Sequence, residues 1–218
     1  LSTGDELVQP GTELEPGQIY ESNSHALASL VESMGCEAVR HESANDSMDE
    51  LRTTLDSLSD CDAILTSGGV SMGEWDLVRK IMEEEGDISF WRMKLRPGGP
   101  PLFGRWKGTP LFGLPGNPAS SHVVFRVLVA PYLRSSTAGG GPKEHHLRVQ
   151  LADDLKGDAK CLALRRIKID MTGDHPIAYS TGPQGSGNLN SIAQADGLTL
   201  LSPGQASNKG DWCEAILL

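Results

Sequence analysis

The sequence predicts an α/β domain over about residues 1–137, followed by a small all-β domain over about residues 142–218. In the first part, apolar residues with helical spacing alternate with short apolar runs, as they do in α/β sheet domains. In the second part, short alternating runs are broken by turns, and no helix-length periodic segment occurs. A segment rich in Ser, Gly and Pro at 135–142 separates the two parts and is predicted to be a linker.

Local signals place the elements of the first domain in order. A Ser-Asn-Ser start at 22–24 begins one helix, and the capping box from Ser47 to Glu50 begins a second. Asn117 followed by Pro118 favours a helix start, because proline at the first helical position costs no backbone hydrogen bond. The helices are predicted at 22–35, 47–58, 75–85 and 117–128, and the strands at 37–41, 63–65, 90–95 and 111–114. This alternation predicts a parallel sheet.

The second domain is predicted from its turns. Runs at 146–151 and 162–169 alternate apolar and polar residues, as strands with one buried face do. Turn signals follow at 153–154, 172–174 and 202–204. Short strands separated in this way predict a barrel or a sandwich.

Composition excludes several classes of function. The net charge is −10 and the pI is about 5.0, so the cationic surface that nucleic-acid binding needs is missing. There is no apolar run of about 18 residues and no signal-peptide pattern at the start. The 4 cysteines are far apart and lack metal-ligand spacing, which fits a reducing compartment. We therefore expect a cytoplasmic protein that binds neither nucleic acid nor membranes.

The first residues are unusual. Residues 1–7 read as the end of a strand followed by a loop, although the strand itself is missing. We therefore expect the sequence to be a fragment or a trimmed chain.

Three Gly-rich segments fall where predicted strands end. They cover residues 2–7, 67–76 and 114–120. Ligands of parallel α/β sheets bind at the carboxyl ends of the strands. Glycine lets backbone N–H groups approach an anion, and serine hydroxyls add donors without bulk. Three such segments in order on one sheet predict a site for an anionic small molecule.

These segments closely resemble the molybdopterin molybdotransferase family, of the MoeA and gephyrin E-domain type. The resemblance covers almost the whole chain. It is carried by S-T-G-D-E-L at 2–7, G-Q-I-Y-x-x-N at 17–23, S-G-G-V-S-M-G-E-x-D at 67–76, R-P-G-x-P at 96–100, G-L-P-G-N-P-x-S at 113–120 and G-P-Q-G-S at 182–186. It implies a three-layer molybdopterin-binding domain of the MoaB and Mog type, followed by a small β-barrel domain, with two earlier domains absent.

The resemblance also implies an activity. Such enzymes take adenylylated molybdopterin and molybdate and yield molybdenum cofactor and AMP, with a divalent metal, here expected to be Mg²⁺. A homodimer is expected, and the upstream adenylyltransferase is an expected partner.

The family's functional positions can be carried over residue by residue. Asp76, Glu74 and Arg96 are the expected catalytic residues, and Asp76 is the expected metal ligand because Mg²⁺ prefers hard oxygen ligands. The expected substrate-binding residues are Thr3, Gly4, Asp5, Ser67, Gly68, Gly69, Ser71, Gly73, Pro115, Gly116, Asn117, Ser120, Arg165, Ser186 and Ser191. Arg166 adjoins Arg165, so the assignment to the first of the two is an expectation that a structure can test.

One position departs from the family pattern. The family usually has K-P-G-K-P where this chain has R-P-G-G-P, so Gly99 stands in place of the lysine expected to help hold molybdate. Arg92, Lys94 and Arg96 alternate on one face of the predicted strand, where a cation can substitute. A solvated strand edge is an equally good interpretation of that basic face.

Three other functions stay open. One is a molybdopterin adenylyltransferase, which shares the first domain; the second is a pyrophosphatase or amidase-linked module with a related domain. The predicted β domain argues against both. The third is a scaffold that keeps the pterin pocket and has lost catalysis, which Gly99 alone favours.

Overall fold

The structure is a computed structural model that describes residues 1–41, 47–70 and 76–218. The chain forms two compact units. The first comprises Leu1–Met93 and Pro100–Gly141, and the second comprises Lys94–Gly99 and Pro142–Leu218. The sequence predicted that residues 94–99 belong to the first domain. The structure groups them with the second unit instead.

Short strands and helices alternate along the described chain. The strands are β1 (Leu7–Val8), β2 (Ile19–Tyr20), β3 (Ile64–Ser67), β4 (Asp87–Trp91), β5 (Leu95–Arg96), β6 (Leu102–Trp106), β7 (Thr109–Leu114), β8 (His146–Leu151), β9 (Leu162–Ala163), β10 (Arg166–Asp170), β11 (Ile177–Ser180), β12 (Gly197–Thr199) and β13 (Trp212–Leu217). The helices are α1 (Asn23–Ser33), α2 (Met48–Ser57), α3 (Leu77–Glu84), α4 (Pro118–Val124), α5 (Ala130–Ser136) and α6 (Leu189–Ala193), with a π-helical segment (Phe125–Val129) between α4 and α5.

The main sheet of the first unit has the strand order β3-β7-β6-β4. Strands β3 and β7 are parallel, whereas β6 is antiparallel to both of its neighbours. The prediction of a wholly parallel sheet was therefore wrong. The reason is a tight hairpin between β6 and β7, in which Lys107 and Gly108 have φ of 46° and 95°. Two consecutive left-handed residues fit the twist of a two-residue hairpin turn.

Helices pack on both faces of this sheet. Neighbouring residues of β7 point to opposite faces, as strand geometry requires. Leu111 packs in an apolar cluster with residues of α2 and α3, and Phe112 packs with residues of α1, the π-helical segment and α5. This arrangement confirms the predicted three-layer α/β architecture.

The predicted helix starts are largely found. The Ser47 hydroxyl accepts from the Glu50 amide at 3.4 Å at the start of α2, and Asn117 precedes α4 with Pro118 at its first position. The last helical run extends further than predicted, because the π-helical segment and α5 carry it to Ser136. Two residues assigned to the linker are therefore helical.

Two predicted strands are wrong. Residues 37–41 form no strand. The predicted strand at 90–95 ends at Trp91, after which Arg92 takes a left-handed φ of 80°. Strand β5 then pairs with β9 in the second unit. Arg92, Lys94 and Arg96 therefore do not share one strand face, and the predicted alternating basic face is corrected.

The second unit contains a closed barrel with the strand order β10-β11-β8-β13-β12. Its interior is apolar and includes Val149, Ile167 and Ala215, all fully buried. The barrel confirms the predicted small all-β domain, although the sequence did not predict the short helix α6. No helix within the described ranges is long and apolar enough to cross a membrane.

Candidate functional site

The candidate site of the first unit begins where β3 and β7 end. Because these strands are parallel, Ser67 and Leu114 lie at the same edge of the sheet. The Gly68 amide donates to the Leu114 carbonyl at 3.0 Å, and the Thr3 amide donates to the Ser67 carbonyl at 3.0 Å. The structure therefore brings together all three Gly-rich segments. We call the described residues Ser2–Gly4, Ser67–Gly69 and Gly116 the cradle.

Close backbone contact explains the glycines at the second segment. A side chain at Gly68 would place its Cβ 2.7 Å from the Thr3 carbonyl oxygen, and the φ of Gly68 is +98°. At Gly69, where φ is +66°, a Cβ would lie 3.0 Å from a methyl group of Val78. Both the backbone conformation and the available space require glycine here.

Asn23 links two segments of the cradle. Its Nδ2 donates to Ser67 Oγ at 2.7 Å and to the Gly116 carbonyl at 2.6 Å. Asn23 ends the G-Q-I-Y-x-x-N motif, but the motif alone assigns no role to its side chain. The sequence signal that could have indicated a role for Asn23 is its position in the first turn of a helix that follows a polar loop.

Glu21 is a buried carboxylate beside the cradle, with only 1% of its surface exposed. It accepts from Ser2 Oγ at 2.8 Å, from the Ser24 amide at 2.7 Å and from Ser24 Oγ at 2.5 Å. Burial alone would raise the pKa of Glu21, but the hydrogen bonds from Ser24 and Ser2 outweigh burial and lower this pKa below its ordinary value. An ionised Glu21 thus ties the first segment to the start of α1.

The other predicted residues of the first unit differ in exposure. Thr3 and Ser120 are buried, and so is Pro115. Asp5 and Asn117 are exposed. The predicted residues Ser71, Gly73 and Glu74 lie outside the described residues.

Asp76 lies at the cap position of α3, without a side-chain hydrogen bond to the helix amides. The Arg79 amide of that helix donates to the Gly69 carbonyl at 3.0 Å, which ties α3 to the cradle. Within the described ranges, no group of three or more His, Cys, Asp or Glu residues has the arrangement to hold a metal ion.

Cationic side chains surround Trp91, close to the same loop. The Arg79 and Arg92 guanidinium carbons lie 4.7 Å and 4.4 Å from the centre of its ring. The indole N–H donates to the Val70 carbonyl at 3.0 Å. Trp91 therefore holds two positive charges and is itself hydrogen-bonded to Val70.

The second unit has a buried cation of its own. Arg166 is fully buried; its Nε donates to Ser191 Oγ at 3.1 Å, and its Nη2 donates to the Gly185 carbonyl at 2.9 Å. Its Nη1 is buried and has no hydrogen-bond partner among the described residues. Burial, and then the charge of Arg165, lower the pKa of Arg166 to about 10, so the guanidinium stays charged at neutral pH. An unpaired buried cation with a free N–H is suited to an oxyanion.

The side chains of the two neighbouring arginines have different contacts. Arg165 Nε donates to the Lys156 carbonyl at 2.6 Å, away from Ser191. Arg166 is the residue that contacts the predicted Ser191, and Ser186 follows Gly185 in the same loop. Arg166 is the first residue of β10 and Arg165 precedes that strand, and the sequence pattern did not reveal which of the two side chains turns inward.

Arg96 also lies in the second unit, with its side chain 66% exposed. Its Nε is 3.4 Å from Asp158 Oδ2. Gly98, two residues on, has a φ of +99°, which favours glycine at that position of the turn.

Comparisons with known proteins can be set against this geometry. Residues 1–135 match the family described as a probable molybdopterin binding domain. The chain belongs to that family. Residues 148–218 match a second family, described as the MoeA C-terminal region, domain IV.

Members with curated names are similar over much of the chain. Molybdopterin molybdenumtransferase 2 of Mycobacterium tuberculosis is 38% identical over 205 residues, which cover 91% of this chain and 50% of that protein. Molybdopterin molybdenumtransferase of Haemophilus influenzae is 40% identical over 134 residues, covering 61% of this chain and 33% of that protein. This chain therefore spans at most about half the length of these two relatives.

A solved member of the MoeA type has the same fold. The molybdopterin biosynthesis MoeA protein from Pyrococcus horikosii superposes with a TM-score of 0.82 at 30% identity, over 99% of this chain and 52% of that chain. The match to the molybdopterin binding family spans the residues of the cradle, and the match to the MoeA C-terminal region spans Arg166.

Proposed function

We propose that this protein is a molybdopterin molybdotransferase, which takes adenylylated molybdopterin and molybdate and releases molybdenum cofactor and AMP. The observation that carries the proposal is the meeting of three Gly-rich segments at one sheet edge, in a chain of the molybdopterin binding family. The names of the curated relatives support the same reaction.

The cradle suits a phosphate-bearing ligand. In our proposal Gly69 brings its backbone N–H close to a bound anion, and the Ser67 hydroxyl adds a second donor, whereas the Gly68 N–H is already bonded to the Leu114 carbonyl. In our proposal these groups bind the phosphate of the substrate. They also orient its phosphoanhydride for cleavage. Such positioning raises the rate because the reacting groups are already held in the productive geometry.

A magnesium ion would be held by Asp76, together with phosphate oxygens of the substrate. The described residues fit this form of binding, because Mg²⁺ often takes only one or two protein carboxylates and completes its shell with substrate phosphates and water. When bound, the metal supplies Lewis-acid polarisation of a phosphoryl oxygen. Glu74, the second expected acid, lies outside the described residues.

Molybdate is the second substrate in this proposal. In the second unit, the unpaired buried N–H of Arg166 supports oxyanion binding. Ser191, in helix α6, accepts a hydrogen bond from Arg166, and Ser186 lies in the loop before that helix. Gly99 takes the place of the family's lysine, so the cations that remain, Arg96 and Arg166, are the ones we assign to this role.

The remaining expectations are part of the proposal. We infer a homodimer, a functional link to the upstream adenylyltransferase and a cytoplasmic location; the four free cysteines support the last of these. The match of residues 148–218 to the MoeA C-terminal region favours the transferase over the adenylyltransferase alternative.

The proposal is tested by AMP release from adenylylated molybdopterin, using the full-length protein and Mg²⁺, with and without molybdate. We expect release that depends on molybdate. Asp76→Asn should lower the rate by roughly a hundredfold or more, because metal polarisation contributes several kcal/mol. Asp62→Asn, which changes an exposed carboxylate of the same unit, is the control and should match the wild type. Tight substrate binding without release under any oxyanion would instead favour a catalytically inactive scaffold.

A further inference from the structure

The amide of Asn23 has a fixed orientation. The Gly116 carbonyl oxygen, 2.6 Å away, only accepts hydrogen bonds, so the atom facing it must be the donor Nδ2. The second hydrogen of Nδ2 is directed at Ser67 Oγ, 2.7 Å away. Both donors of this amide are thus used within the cradle.

This orientation determines what Ser67 can do. A hydroxyl that accepts from an amide N–H keeps its own hydrogen available for donation. Ser67 is 2% exposed, and no acceptor for that hydrogen lies among the described residues. A buried hydroxyl that already accepts one hydrogen bond, and whose own hydrogen has no acceptor, can donate that hydrogen to an anionic oxygen.

The start of α1, where Asn23 lies, is itself held in place. Glu21 accepts from the Ser24 amide of that helix and from the Ser2 hydroxyl of the first cradle segment. Arg40 Nε donates to Ser24 Oγ at 3.1 Å and completes the cluster. Asn23 is therefore fixed relative to Ser2 on one side and to Ser67 and Gly116 on the other.

We propose that Asn23 is a positioning residue of the cradle: it sets the distance between Ser67 and Gly116 and makes the Ser67 hydroxyl a hydrogen-bond donor to a phosphate oxygen of the substrate. Glu21 acts indirectly, because it fixes the start of helix α1, where Asn23 lies. The inference rests on the proposed function, since it assigns Ser67 to the phosphate of adenylylated molybdopterin.

The test is the dissociation constant for adenylylated molybdopterin, measured by titration calorimetry alongside the melting temperature of each variant. Asn23→Asp keeps the shape but replaces the donor by an acceptor, so Ser67 would turn its hydrogen toward the new carboxylate. We expect the dissociation constant to rise at least about tenfold, because the substrate loses a hydrogen bond to its charged phosphate and is also repelled by the new carboxylate. Ser29→Ala, an exposed change in the same helix, should leave the dissociation constant unchanged.

A double-mutant cycle separates positioning from a merely structural role. If Asn23 acts through Ser67, Asn23→Ala should weaken binding much less in a Ser67→Ala protein than in the wild type. Fully additive effects, or wild-type affinity in a folded Asn23→Asp protein, would overturn the inference. Wild-type protein that fails to bind the substrate would overturn the proposed function as well, so the two failures are distinguishable.

Discussion

At the scale of single residues, Gly68 and Gly69 shape the backbone of the cradle, and Asn23 joins its segments through two hydrogen bonds. The two glycines stand directly after a strand, so a local sequence pattern was sufficient to predict them. The bonds from Asn23 join residues 44 and 93 positions apart, and no local pattern contains such information. Which of Arg165 and Arg166 contacts Ser191 was not predictable for the same reason, because only the fold of the barrel decides which side chain points inward.

Gly68 gives the most direct test of the cradle's backbone. Gly68→Ala combines a left-handed φ of +98° with a Cβ only 2.7 Å from the Thr3 carbonyl. We expect a loss of stability of about 1–3 kcal/mol, measured by urea unfolding, together with weaker substrate binding. In Gly116→Ala the new Cβ would meet its nearest neighbour at 3.6 Å, so that variant is the matched control and should unfold close to the wild type. Equal destabilisation in the two variants would contradict the described contact.

At the scale of elements, long periodic helices were predicted well and short strands poorly. Strand β6 was missed because its hairpin turn is Lys-Gly, which lacks the Asn-Gly or Asp-Gly signal of such turns. The run at 90–95 alternates like one strand, yet the strand ends at Trp91 and the run is divided between Met93 of the first unit and Lys94 of the second. Pairing with strands that are distant in sequence determined these elements, and the periodicity of the sequence alone does not reveal such pairing.

Helix α4 contains a partly buried histidine, His122, and its titration gives a prediction for the stability of this helical run. Burial, and then the charge of Arg126, lower the pKa of His122 from 6.5 to about 4. The unfolded chain therefore binds a proton that the folded chain does not, and stability falls as the pH drops below 6.5. Between pH 6.5 and 5 we expect a loss of up to about 2 kcal/mol, from about 1.4 kcal/mol per pH unit.

The measurement is urea unfolding at several pH values between 5 and 7. The free energy of unfolding of His122→Gln should depend less on pH than that of the wild type, whatever the stability of the variant at pH 7. His145→Gln removes an exposed histidine and should keep the wild-type slope. Parallel curves for the wild type and His122→Gln would show that this histidine does not carry the effect.

At the scale of the whole molecule, the two-unit organisation was predictable because the periodicity changes at one Ser- and Gly-rich segment. What the sequence did not show is that residues 94–99 leave the first unit and pair with β9 of the second. A two-residue pairing between distant segments has no signal in either segment. The two family matches cover residues 1–135 and 148–218, so residues 94–99 of the second unit fall within the first match.

The central claim is that the sheet edge formed by β3 and β7 binds the phosphate of adenylylated molybdopterin. The most direct measurement is amide hydrogen exchange, with and without that ligand. We expect slower exchange in peptides containing residues 67–70 and 116–117, which include the backbone N–H groups of Gly69 and Gly116. Unchanged exchange in these peptides under saturating ligand, with protection confined to other parts of the chain, would contradict it.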